Sequence, residues 1–118
     1  MKRRKDSGFT LIEILITLVI LSVVLLGVCS MVYSVMGATS LSKEMAVATT
    51  LMQDKMERLK NTPSASLTSG NDTVQPENVS YLRQWTVSAS ANTTTITVTV
   101  NWNRRGPHSV TAKTMRGE

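Results

Sequence analysis

"KRRKDSGFTLIEILITLVILSVVLLG", residues 2–27, decides how this chain is built. Four basic residues and Asp6 lead to Gly8, and an apolar run follows. From Ile14 to Tyr33 there are 20 residues with no charge and no proline. At about 1.5 Å per residue, a helix of that length crosses the ~30 Å hydrocarbon core of a bilayer. Leu, Ile and Val lie on all sides of it, which is not the pattern of a half-buried helix in a globular domain. The basic cluster before the run predicts an N-terminus kept in the cytoplasm and a C-terminus on the outer side. A cleaved secretory signal is a poor reading, because the hydrophobic region is too long and no A-x-A site follows it.

Glu13 sits near the start of the run. A carboxylate in the middle of a membrane segment costs about 2.5–3.5 kcal/mol on insertion scales, and less near an end, where it reaches the headgroups. Two readings stay open on the residues alone. Glu13 snorkels to the interface, or it pairs with a positive charge from another molecule.

The stretch from Lys2 to about Leu26 resembles the class III signal of type IV pilins and of the pseudopilins of type II secretion systems. A basic leader ending in Gly8 is followed by Phe9, Thr10, Leu11, an aliphatic residue, Glu13 and a long apolar helix. The resemblance implies that a prepilin peptidase cuts between Gly8 and Phe9 and that Phe9 is then N-methylated. It also implies that Glu13 sets subunit register during assembly by pairing with the N-terminal ammonium of a neighbouring subunit. Such a pairing is physically sensible, because two ions that are uncomfortable in hydrocarbon each offset part of the other's desolvation. Gly8 lets a peptidase approach the backbone closely. One departure is that Ser30 lies where major pilins usually carry a mid-helix proline.

Leu41, Met45, Ala48, Met52, Met56 and Leu59 recur at helical spacing, with most charges of the segment off that stripe. Residues 9–61 are therefore expected to form one long helix with a transmembrane segment at about 14–33. The Met-rich stripe reads as packing surface. Asn61, Thr62 and Pro63 end it. Residues 62–80 are rich in Ser, Thr, Asn and Gly and read as a surface loop.

The remainder alternates. Tyr81, Trp85, Val87 and Ala89 share one face, Ile96, Val98, Val100 and Trp102 a second, and Val110 and Ala112 a third. Turns are expected around Asn92 and from Arg104 to Pro107. The expected fold class is α+β: a long N-terminal helix, half membrane and half amphipathic, packed on a small three-stranded antiparallel sheet in residues 62–118. The "ITVTVNW" stretch, Ile96 to Trp102, also resembles a strand of PilV-type minor pilins and I-type minor pseudopilins.

The formal charge is +5, of which residues 1–8 carry +3, so a nucleic-acid partner is not expected of the body. Cys29 is the one cysteine and reads as a small apolar helix residue, and no intrachain disulfide can form. His108, the one histidine, reads as an exposed turn residue with no ligand cluster nearby, so no metal and no cofactor are expected. Arg104, Arg105, Lys113 and Arg116 read as a small basic patch, more suited to a solvated face than to DNA. No catalytic constellation is present, and no enzyme activity is expected. The resemblance implies a structural subunit, a minor pilin or pseudopilin, anchored in the inner membrane and then assembled into a pilus or pseudopilus. Its implied partners are prepilin peptidase, other pilin subunits, the inner-membrane assembly platform and membrane lipid. The rival is a tip-located binding module for DNA, a surface or a secreted protein, marked by aromatic and basic groups on the sheet's outer face.

Overall fold

A computed structural model describes residues 8–117. The basic cluster Lys2, Arg3, Arg4 and Lys5 lies outside the described residues. The elements are a helix α1 (Leu11–Lys60) and four strands, β1 (Gly70–Val74), β2 (Tyr81–Ser90), β3 (Thr93–Asn103) and β4 (Pro107–Gly117). Two short 3₁₀ turns, Ser64–Ser66 and Pro76–Asn78, flank β1. The chain divides into two units between Ser40 and Leu41.

In the first unit, β-branched residues are helical although they favour strands in water. A helix satisfies every backbone group within the segment, which an apolar surrounding demands. Hydroxyls in the run are satisfied locally too. Thr17 donates to the Glu13 carbonyl at 2.8 Å, Ser22 to that of Leu18 at 2.7 Å and Ser34 to that of Ser30 at 3.2 Å.

In the second unit the outer part of α1 covers one face of the sheet. The strands form a meander in the order β1-β2-β3-β4, each pair antiparallel. The register lines inward residues into rows across the strands: Tyr81, Trp102 and His108; Asp72, Arg83, Val100 and Val110; Gly70, Trp85, Val98 and Ala112. Two apolar clusters result. Ala48 packs with Tyr81, Val100 and Trp102, and Leu59 packs with Ile96 and Val98. Met52 touches both clusters.

The sheet has four strands rather than three, and the loop expected over residues 62–80 contains β1. Gly70, Asn71 and Asp72 are poor strand formers, so neither propensity nor alternation marks them. Pairing decides the matter. Asp72 accepts two hydrogen bonds from the Arg83 guanidinium across the strand pair, both at 2.6 Å. Gly70 lies under the Trp85 ring, and a Cβ there would stand 2.8 Å from Trp85 Cζ2, so only glycine leaves room for the indole.

The helical stripe is also shifted at its start. Met45 is exposed, and Glu44, expected off the stripe, is buried. At its far end α1 is closed by a strand residue. Arg116 donates to the carbonyls of Lys60 and Thr62, both at 3.1 Å, satisfying groups that a helix C-terminus leaves unpaired.

Candidate functional site

The helix begins at Leu11 because Thr10 caps it. The Thr10 carbonyl accepts the first helical hydrogen bond from the Ile14 amide at 3.2 Å. The Thr10 hydroxyl accepts the Glu13 amide at 3.3 Å. Thr10 and Glu13 thus hold the first and last places of the S/T-x-x-E capping pattern. Gly8, Phe9 and Thr10 are non-helical and exposed, with the Phe9 side chain 81% exposed. Among the described residues nothing lies within 4 Å of a Cβ built on Gly8, so their packing does not require glycine there. Phe9, Glu13, Ile14, Thr17 and Leu18 line one shallow recess of about 230 Å³.

Glu13 lies in the first turn, where the positive end of the helix dipole favours a carboxylate. No cation among the described residues is paired with it. Around it the apolar residues from Leu11 to Met36 are all roughly half exposed or more. A contiguous apolar surface of that size is a surface for lipid or for other chains. By length and composition α1 is able to cross a membrane.

The second unit holds polar groups that the sequence did not single out. Glu44 is 6% exposed; it accepts the Trp102 indole N–H at 3.1 Å and an Arg104 N–H at 3.1 Å. A signal was present, since Leu41, Glu44 and Ala48 share the 3 and 4 spacing of a buried face. A second network centres on Arg83. Besides Asp72, its guanidinium meets Asp54 at 3.5 Å, and Lys55 reaches Asp72 at 3.6 Å. The hydrogen bonds from Arg83 hold the Asp72 carboxyl below its ordinary range and, reciprocally, raise the Arg83 pKa. Burial, then the nearby Glu44 charge, pushes the Tyr81 phenol up.

The sheet's aromatic groups face the helix. Trp102 is 3% exposed. Trp85 donates its indole N–H to the Thr68 carbonyl at 2.9 Å and carries the Lys55 ammonium 3.5 Å from its ring centre. His108 is not an exposed turn residue. It lies half-buried in β4 with its ring 5.5 Å from that of Trp102. The four cations do not make one patch either. Arg104 is bound to Glu44, Arg116 to the end of α1, and Lys113 points from the sheet's other face. Among the described residues no group of three or more His, Cys, Asp or Glu is placed to hold a metal.

Residues 3–28 match the family model of the prokaryotic N-terminal methylation motif. No curated protein and no solved structure matches the chain. The matched residues run from the basic leader through Gly8, Phe9 and Glu13 into the exposed apolar helix. The match covers the N-terminal motif alone: the chain carries a class III type of N-terminal methylation signal, borne on a long helix of the kind that pilins and pseudopilins have.

Proposed function

We propose that the chain is a structural subunit, a minor pilin or pseudopilin, of a type IV pilus or a type II secretion pseudopilus. In this reading prepilin peptidase removes residues 1–8, Phe9 is N-methylated, and the subunit waits in the inner membrane with its C-terminus in the periplasm. The assembly platform then extracts it into a filament with other subunits, and membrane lipid is exchanged for neighbouring helices. Glu13 carries the reading. It is a carboxylate on an exposed apolar helix, with no cation paired to it among the described residues. Cutting before Phe9 creates an α-ammonium in the same region of each copy. Copies stacked so that one's ammonium meets another's carboxylate satisfy both ions in low dielectric. The tip-binding alternative is not favoured, because the two tryptophans lie on the helix-facing side of the sheet.

Gly8→Val is expected to leave the leader attached. The fold has room for the side chain, so any block arises at the peptidase. Mass spectrometry of the membrane fraction should show the full-length chain, and a mature chain beginning with methylated Phe9 would refute the processing site. Glu13→Val should insert as well as wild type or better, since an unfavourable charge is removed. Its content in sheared filaments should fall to background. Wild-type incorporation would mean that Glu13 merely reaches the headgroups.

A further inference from the structure

The residues just past the Gly8–Phe9 peptide hold the positions of a helix-start signal. Thr10 supplies the cap, and Glu13 stands at the third helical position. Phe9, just before the cap, and Ile14, four residues after it, hold the sequence positions of a hydrophobic staple and line the same recess, with Phe9 still 81% exposed. Together these end the helix two residues past Gly8.

The sequence offers rival start points one turn earlier. Asp6 and Ser7 are both good N-cap residue types, and a helix begun there would take Gly8 and Phe9 into its first turn. The Gly8 carbonyl would then accept a helical hydrogen bond and turn away from an attacking group. With the boundary at Thr10, Gly8 and Phe9 are non-helical and exposed. Among the described residues none would meet a Cβ on Gly8, so the described fold does not itself account for the glycine.

We infer that Thr10 is a positioning residue for leader removal: its hydroxyl fixes the helix start so that the Gly8–Phe9 peptide is presented outside the helix to the peptidase. This rests on the processing reading above. Thr10 acts by setting the population of chains whose scissile peptide is accessible. A substrate competent only part of the time binds with an apparent affinity reduced by that fraction. The effect therefore belongs in KM and not in kcat.

The test uses full-length precursor in lipid vesicles with purified prepilin peptidase. Thr10→Val keeps the shape and removes the acceptor. Thr10→Ser and Thr10→Asn keep an acceptor and change the shape. Thr10→Val should raise KM about twofold to fourfold with kcat unchanged, because a cap-sized loss turns a mostly competent population into one roughly half to a quarter competent. The Ser and Asn variants should be cut like wild type. Backbone chemical shifts of Gly8 and Phe9 should turn helical in the Val variant alone. Val cut like wild type, Asn cut as poorly as Val, a loss confined to kcat, or extended shifts retained in Val would each overturn the inference. If wild-type precursor itself is not cut after Gly8, the processing reading fails instead, and Gly8→Val marks that baseline.

Discussion

Trp102→Ala is expected to unfold the sheet and the outer helix, or nearly so, while leaving the apolar part of α1 helical. Trp102 is buried between the two, with its ring 5.8 Å from that of Tyr81 and 5.5 Å from that of His108. Truncating a buried aromatic costs about 3–5 kcal/mol. Here the loss is compounded, because the buried Glu44 carboxylate loses the indole donor and keeps its desolvation. A small domain has about 5–15 kcal/mol in total. For a unit of this size the thermal midpoint should fall by roughly 15–30 °C. The near-ultraviolet signal of Trp85 and resistance to limited proteolysis of the full chain in detergent both report it. Thr97→Ala, on the other face of the same strand, should cost less than about 1 kcal/mol. A Trp102→Ala chain melting within a degree or two of wild type would place the indole outside the core and revive the binding-module reading.

Arg83→Met should be the next most damaging change. The side chain of Arg83 is 11% exposed, and it ties β1 to β2 through Asp72 and reaches α1 through Asp54. Met preserves most of the packing volume and removes the charge. Asp72 keeps a side-chain exposure of 35%, so water recovers part of the loss, and about 2–3 kcal/mol is expected rather than the full cost of breaking a buried pair. The pH dependence identifies the cause. The folded pKa of Asp72 lies below its unfolded value of about 3.8. Its contribution is therefore present above pH 3.8 and lost as the pH falls through the folded value. The stability gap between wild type and Arg83→Met should be constant at neutral pH and close on acidification below that point. A gap that persisted unchanged into strong acid would mean that Arg83 acts through packing alone. Hydrogen exchange should show β1 released before the rest of the sheet, because Gly70 to Val74 pair only with β2.

The sequence by itself determined the long helix, the class III N-terminus and three of the strands. Each rests on a local code. An uninterrupted apolar run of bilayer length admits few conformations, and strict alternation from Thr93 to Asn103 admits one face pattern. Gly8, Phe9 and Glu13 could be singled out for the same reason, since they stand at fixed places in a linear motif, and their roles are those proposed above. The capping of α1 by Thr10 was also written locally, in the Thr10–Glu13 spacing.

Tertiary structure alone decided the rest. β1 exists because Arg83 and Trp85, more than ten residues away, supply a partner for Asp72 and a roof over Gly70, and no property of residues 70–74 anticipates either. The 41-44-48 spacing puts Glu44 on the inward face of α1, but a carboxylate is tolerated there only because Trp102 and Arg104, brought in by β3 and the turn after it, offer it donors. A charge's environment is set by what folds against it, not by its neighbours in sequence. His108 and Arg116 follow the same rule, one drawn inward beside Trp102 and the other onto the end of α1. Local periodicity specifies which face a residue occupies. Which polar groups that face accepts depends on donors and acceptors contributed from elsewhere in the chain, and these are known only once the strands are in register.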